Sequence, residues 1–332
     1  MKRWQASEFG APSTVLKKVE VVLPEPGPNE ARVRVLAASV ALPDLMMVQG
    51  RYPLVPSPPV SPGQEIVGIV DKPGPGYPFP AGTRIMGNSR ADIAIGGLAE
   101  YTLSPTAGAT PAPAELTDAQ AAGFPGSYHV AHVGLAHRAT LHEGETLLVL
   151  GGSGRTGSAA IQLGKALGAT VIATARHKDK ARFCRLQGAD HVIDLGEQDL
   201  ADTVHELTGG QGAGVIYDTV GGEAYEQATS AVSRGGRVLL VGFASGTWGQ
   251  PDPQHIVFND YSVSGALALF RSDTERDLTR EALSAFLRDG SISPPVTETY
   301  DFDDAPAAVT SRGGGAVGQA VVTMVQAVVP QL

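Results

Sequence analysis

The stretch TLLVLGGSGRTGSAAIQLGKAL, from Thr146 to Leu167, decides how the chain folds. Thr146–Leu150 is a short apolar run of the kind that forms a buried strand, and Ser158–Leu167 brings apolar residues back at helical spacing. Between them stands Gly152-Ser153-Gly154-Arg155-Thr156-Gly157. Alone, a GxGxxG pattern says little; after a strand and at the opening of a helix it has the context the motif needs. One glycine allows the tight turn, the next lets backbone amides approach a pyrophosphate, and the third lets helix and strand lie close. The positive end of the helix then faces the phosphates. Ser153, Gly154, Arg155 and Thr156 are therefore expected to hold a dinucleotide.

The next strand, TVIATA, ends at Ala175 and runs into Arg176-His177-Lys178-Asp179-Lys180. A site for NAD usually carries Asp or Glu at this point to accept from the ribose 2′-hydroxyl. No acid stands at this strand end. A 2′-phosphate would be repelled by a carboxylate and held by Arg and Lys, so NADPH is the expected cofactor, with Arg176 and Lys180 on its phosphate. Lys178 reads equally well as a solvated helix start. Arg176 does not, because a cation at a helix N-terminus opposes the dipole.

Outward from this core the texture is uneven. From about Asp118 short apolar strands alternate with helical stretches: Asp179–Gln187 is a helix, Val192–Asp194 a strand, Leu200–Thr208 a helix and Val215–Asp218 a strand. A helix at Ala224–Val232 and a strand at Arg237–Val241 follow. Such alternation means βαβ units and a Rossmann-type, doubly wound parallel sheet, an α/β fold. The first hundred or so residues differ. Ala31–Ala38 and Ile66–Asp71 read as strands, Gly96–Leu103 as a turn into another, and no helical period of any length is visible. After Arg271 come one amphipathic helix, Leu278–Asp289, and irregular β-like sequence that cannot form a domain alone. Residues 1–120 and 271–332 are thus expected to form one discontinuous β-rich domain, with the cofactor domain, 121–270, inserted between its halves.

Bulk properties exclude several functions. With 332 residues the chain suits two domains; 42% hydrophobic and 18% charged residues are ordinary for a globular protein. A formal charge of −9 argues against a nucleic-acid partner. No apolar run approaches the roughly 18 residues of a membrane span, and the N-terminal stretch lacks the apolar segment of a secretion signal. The single cysteine, Cys184, allows no internal disulfide and no multi-cysteine zinc lobe, and lies on the apolar side of its helix. A cytosolic protein acting on a small molecule is the expectation. Among His129, His132, His137 and His142, helical spacing puts only His129 and His132 on one face, and no cysteine or carboxylate completes a tetrahedral set.

With these residues in view, the chain resembles the medium-chain dehydrogenase/reductase superfamily, in its zinc-free quinone oxidoreductase branch. The resemblance runs nearly the whole length, through LPEPGPNEARVRVLAASV, QGRYP, PVSPGQEIVGIV, GTRIMG, GGLAEY, the glycine-rich stretch itself, GADHVID, GVIYDTVGG and GGRVLLVGFASG. It implies a GroES-like catalytic domain beside the Rossmann domain and an active site between them. It also implies cofactor contacts at Val130, Gly242, Phe243, Ser245 and Phe270. Zinc-dependent relatives carry a GHE segment, where this chain has Gly63-Gln64-Glu65. Two further departures stand out: a VNxxD segment here reads Val40-Ala41-Leu42-Pro43-Asp44, and a PxxYxTA-like segment has Val130 in place of Thr.

Without a metal, hydride transfer must go to an already electrophilic acceptor, a quinone or an α,β-unsaturated carbonyl, with a hydrogen-bond donor for the oxygen that gains charge. Tyr52 and Tyr128 are the candidate donors. Three readings follow: an NADPH:quinone reductase, an enoyl-type reductase, or an NADPH-binding protein with little catalysis. A homodimer is expected through an exposed sheet edge at Asp260–Leu269, as the resemblance also implies.

Overall fold

The computed structural model describes all residues except 53, 54, 56, 91–94, 269–271, 314 and 325–332. The strands in chain order are β1 (Lys2–Ala6), β2 (Leu16–Glu20), β3 (Glu30–Val40), β4 (Glu65–Pro73), β5 (Arg84–Asn88), β6 (Tyr101–Pro105) and β7 (Thr110–Pro111). There follow β8 (Thr146–Leu150), β9 (Thr170–Ala175), β10 (His191–Asp194), β11 (Ala213–Asp218), β12 (Val232–Leu240) and β13 (Ser262–Gly265), then β14 (Val296–Asp301) and β15 (Gln319–Thr323). Chain contacts gather into two units: Met1–Pro125 with Pro294–Leu332, and Gly126–Ser293.

In the first unit the sheet order is β14-β15-β3-β4-β5-β7, with β6 also on β3, and β1 pairs with β2. The returning C-terminal segment joins this sheet because β15 runs antiparallel to β3, Ala320 opposite Val40. Trp4 Nε1 donates to the Phe302 carbonyl at 2.7 Å. The inward faces of β3, β4 and β5, with Val33, Val35, Ile66, Val70 and Ile85, form the core. Short helices here include α1 (Pro12–Val15), α2 (Leu42–Val48) and α3 (Asp118–Ala122). The sequence reading found no helix in the first hundred residues; α2 corrects it. Its seven residues cover less than two full turns, too few for an apolar period to show, yet Leu45, Met46, Met47 and Val48 are all buried.

The second unit carries α4 (Val130–His132), α5 (Arg155–Ala166), α6 (Lys178–Leu186), α7 (Leu200–Leu207), α8 (Glu223–Thr229), α9 (Pro253–Asn259) and α10 (Asp273–Arg288); α11 (Ala305–Thr310) follows in the first. Its sheet is parallel, in the order β10-β9-β8-β11-β12-β13. Strand order reverses at β8, between β9 and β11, which is the switch point of a doubly wound sheet and the place where such sheets bind ligands. Two boundaries differ from the expected ones. The chain leaves this unit at Pro294 rather than near 271, because α10 belongs here: Leu283 and Leu287 are buried. An amphipathic pattern shows that a helix has a face to bury, not which unit will cover it. Likewise α8 stops at Thr229, and Val232 already opens β12.

Candidate functional site

The turn after β8 is shaped at its first residue, Gly151, which has φ +70°. This is the tight-turn glycine, one position before the motif begins. Neighbouring strands stitch the loop in place. Thr174 at the end of β9 accepts the Gly151 amide on its hydroxyl at 3.1 Å and the Gly152 amide on its carbonyl at 3.1 Å. From the other side Thr219 donates to the Leu150 carbonyl at 2.8 Å. A side chain on Gly152 would run into Ala173 Cβ at 2.8 Å and the buried Cys184 sulfur at 3.1 Å, and one on Gly157 into the Gly151 carbonyl oxygen at 2.3 Å. Those two glycines let helix, loop and sheet meet. Gly154 differs: a Cβ there would meet nothing nearer than the Gly151 oxygen at 3.4 Å.

Gly154 caps α5 without a side chain, and no acid stands in the first turn of that helix. Its leading amides are left for an outside acceptor, and the dipole favours an anion there. Ser153, Gly154, Arg155 and Thr156 share this turn, with Ser153 buried and the other three half-buried. At the end of β9, Arg176 is exposed and Lys180 half-buried. Among the described residues neither takes part in a hydrogen bond or ion pair, whereas Lys178 lies 3.8 Å from Glu197. The residue between them, His177, has φ +77°, a backbone conformation that costs a non-glycine residue on the order of 1–3 kcal/mol. Its amide donates to Asp194 at the end of β10, at 3.2 Å. Asp194 Oδ1 is thereby engaged by backbone amides, since Gly196 also donates to it at 3.1 Å.

Two more loops complete the rim. Asp218, buried at the end of β11, accepts the amides of Val220 and Gly221 at 2.7 and 2.8 Å on one oxygen, while the other has no partner among the described residues. Burial raises its pKa, opposed by those amides. The loop after β12 is zipped to it: Gly242 donates to the Asp218 carbonyl at 3.2 Å and Ser245 to the Val220 carbonyl at 2.9 Å. Phe243 stacks on Trp248, ring centres 4.5 Å apart. Gly242, Phe243 and Ser245 therefore stand at the same strand ends as the glycine turn. Val130 is half-buried at the start of α4, and Phe270 lies outside the described residues. Sequence reasoning missed Gly151, Thr174 and Asp218. Gly151 had a signal, the doubled glycine ending the strand; Thr174 and Asp218 act on partners distant in the chain.

In the first unit a single carboxylate organises the segments that carry the sequence departures. Asp44 is buried; one oxygen accepts the Ala41 amide at 2.8 Å, and the other accepts the amides of Gly63 at 2.7 Å and Gln64 at 3.3 Å. Tyr52 is half-buried against the core. Its phenol is pushed above its ordinary value by burial first, then by the charges of Asp44 and Glu65, so it stays protonated and able to donate. No hydrogen bond of its hydroxyl is found among the described residues.

The other tyrosine is placed differently. Tyr128, in the second unit, is 1% exposed, and its hydroxyl donates to Gln162 Oε1 at 2.7 Å. Gln162 in turn donates to Gln187 at 2.7 Å and to the Ser293 carbonyl at 3.0 Å, and accepts the Ser293 amide at 2.8 Å. The Tyr128 proton is committed inside a buried network, which corrects its reading as a donor to substrate: this phenol positions α5 and Ser293.

The histidines need a correction too. His132 and His137 lie on one face, ring centres 5.2 Å apart, with His132 Nδ1 and His137 Nε2 each 3.3 Å from the Thr279 hydroxyl. The reason is that Val133–Arg138 is a π-helical turn, in which residues five apart align, rather than the α-helix that the spacing argument assumed. Among the described residues no group of three or more His, Cys, Asp or Glu side chains is placed to hold a metal ion.

A parallel sheet with this switch point, an uncapped glycine turn and a separate β-rich unit define a protein of the dinucleotide-binding dehydrogenase class. Residues 156–284 match the family of zinc-binding dehydrogenases, and residues 27–114 match the alcohol dehydrogenase GroES-like domain. A quinone oxidoreductase-like protein 2 homolog from Nematostella vectensis is 31% identical over 90% of this chain and 81% of that protein. The quinone oxidoreductase of Homo sapiens is 26% identical over 98% of both chains. Among solved structures, Escherichia coli quinone oxidoreductase complexed with NADPH superposes with a TM-score of 0.88 at 27% identity, covering 97% of this chain and 100% of that one. The chain belongs to the medium-chain dehydrogenase/reductase superfamily, among its quinone oxidoreductase-type members.

Proposed function

We propose that this protein is a zinc-independent, NADPH-dependent reductase that passes hydride to a quinone or a similar conjugated carbonyl. The observation that carries the reading is the residue at the family's histidine position. Gln64 offers an amide, which is a poor zinc ligand and a good hydrogen-bond donor. The residues fit the cofactor: the turn at Gly154, without a side-chain cap, suits a pyrophosphate, and Arg176 and Lys180, without a partner among the described residues, suit a 2′-phosphate. Bound NADPH supplies the hydride.

The chain's own groups then do the rest. The amides at Ser153–Thr156 fix the phosphates, and Arg176 with Lys180 selects the phosphorylated ribose. Phe243, on Trp248, and Ser245 line the same rim. Tyr52, held protonated, would donate to the acceptor's carbonyl oxygen, the atom on which negative charge would collect when the conjugated carbon takes the hydride. The Escherichia coli relative's NADPH complex supports the cofactor, and the relatives' names support the acceptor class. No helix among the described residues is long and apolar enough to cross a membrane. The lone thiol, Cys184, is buried and pushed up to about 12 by burial, inert chemistry that suits a reducing cytoplasm.

The test is turnover of NADPH, followed at 340 nm, with a panel of quinones, enones and enoyl thioesters. Quinone turnover that survives chelators and falls roughly 100-fold in Tyr52→Phe, at unchanged NADPH affinity, is expected. A preference for enoyl thioesters would replace the acceptor, and no turnover at all would reduce the protein to a binder. We further propose a homodimer through β13, the sheet-edge strand paired only with β12, which lies near the exposed Val257, Phe258 and Leu267. Light scattering at micromolar concentration should give twice 34.3 kDa; a monomer mass counts against it.

A further inference from the structure

We infer that the side-chain amide of Gln64 is a second hydrogen-bond donor to the acceptor's carbonyl oxygen, acting beside Tyr52. The inference rests on the reductase reading above and names a residue of that same site.

Three observations carry it. First, Gln64 Nε2 is shielded from solvent and has no hydrogen-bond partner among the described residues. Folded chains rarely keep a buried amide donor unpaired, and an unexplained one points to something that binds there. Second, the residue that carries this amide is fixed at both ends of its backbone. Its N–H donates to Asp44 at 3.3 Å, and its carbonyl accepts the Ser89 amide at 2.9 Å, with the Ser89 hydroxyl and Asn88 Nδ2 at 3.5 Å. A donor that acts on developing charge has to be positioned before the reaction, and this one is. Third, the carboxylate that holds it also acts on the Tyr52 phenol, which makes no hydrogen bond among the described residues. Asp44 clamps Gln64 with one oxygen and Ala41 with the other, and the charges of Asp44 and of the adjacent Glu65 both reach Tyr52. Ala41 brings only a methyl to this clamp, so its side chain offers the amide no partner. A carbonyl oxygen, which has two lone pairs and can accept two hydrogen bonds, is the ligand chemistry that satisfies both donors. An amide NH2 is a donor only, so the unpartnered group calls for an acceptor rather than a cation.

The test is Gln64→Leu, which keeps bulk and removes the donor. Turnover of the best quinone in the panel should fall about 100-fold while the NADPH dissociation constant stays within twofold. The melting temperature should hold or rise, since an unpaired buried donor has been removed. A purely structural glutamine would instead lower stability in step with activity. Ala41→Asn added to Gln64→Leu puts an amide back at the other end of the same carboxylate clamp and is expected to recover at least tenfold of the loss. Turnover retained within twofold in Gln64→Leu overturns the inference, and so does a loss matched by a lower melting temperature and not recovered by Ala41→Asn. If the wild type reduces no acceptor, the reductase reading fails on its own. The donor role is then decided by binding of 1,4-naphthoquinone: about tenfold weaker binding to Gln64→Leu upholds it, and equal binding overturns it.

Discussion

The two outer roles of the glycine turn can be separated by adding one methyl group at a time. On Gly157 a Cβ would stand 2.3 Å from the Gly151 carbonyl oxygen and 2.9 Å from the Gly151 carbonyl carbon and from Gly152 Cα. Ordinary carbon–oxygen contacts are about 3.3–3.6 Å, so α5 would have to move by about 1 Å against backbone that cannot yield. Overpacking of this kind costs roughly 1–3 kcal/mol, and a unit of this size loses about 2–4 °C of melting temperature per kcal/mol. Gly157→Ala should therefore melt roughly 2–12 °C lower. On Gly154 the backbone has φ −76°, open to any residue, and the nearest atom is 3.4 Å away. Gly154→Ala should lose only the modest capping difference, on the order of 0.5–1 kcal/mol. Its methyl, however, would stand where a phosphate must approach the amides. Losing one charge-assisted hydrogen bond there costs about 1.5–3 kcal/mol, a tenfold to hundredfold weaker NADPH complex. Thermal unfolding and a fluorescence titration with NADPH read the two effects independently. If Gly154→Ala binds NADPH as tightly as the wild type, the phosphates do not lie on this turn and the argument from the motif is wrong.

Two other perturbations test separate parts of the same unit. Arg176→Ala should erase most of the preference for NADPH over NADH, a change of about 1.5–3 kcal/mol in relative affinity, because Arg176 has no competing partner among the described residues; equal dissociation constants for the two nucleotides in the wild type would end that reading. His132 is 5% exposed and is pushed down to about 4 by burial, with His137 adding to the shift. Its folded value is the lower one, so the unfolded chain takes up the proton first. Stability contributed by the neutral ring is complete above the ordinary value of 6.5 and is lost as pH falls toward 4. Between pH 7 and pH 5 this ring alone should cost the second unit on the order of 2 kcal/mol, and His129, likewise pushed down to about 4 by burial, adds to the loss; the urea midpoint should fall, and His132→Gln should make that slope shallower without abolishing it.

What could be read from the sequence was what neighbours along the chain decide. The β8–turn–α5 unit was legible because its strand, glycines and helix lie within some twenty residues and each constrains the next. The end of β9 at Ala175 was legible because its apolar and β-branched run stops where a cluster of charge begins. The placement of α10 was not, since Leu283 and Leu287 advertise a face without naming its cover. Nor was α2, whose role depends on Asp44 reaching nineteen residues ahead to Gly63. The histidines failed for a geometric reason: a spacing rule carries a helix type within it, and Val133–Arg138 departs from that type.

The two tyrosines show the same limit at the level of chemistry. Both are phenols near family-like segments, and residue type alone gives them equal claim to a substrate oxygen. Their difference lies in which acceptor each can reach. Gln162, 34 residues beyond Tyr128, takes that hydroxyl into a network closed by Gln187 and Ser293, and burial raises its pKa strongly. Using it on a substrate would first require breaking a buried hydrogen bond and leaving Gln162 short of a partner. Tyr52 has no such bond to break among the described residues, and the carboxylates near it act on its phenol without accepting its proton. Burial first, and then these charges, keep the proton on the oxygen where a substrate could use it. A charge that repels the phenolate form therefore favours the donor form, and Asp44, by holding Ala41, Gly63 and Gln64 on its own oxygens, does this while staying fully satisfied itself.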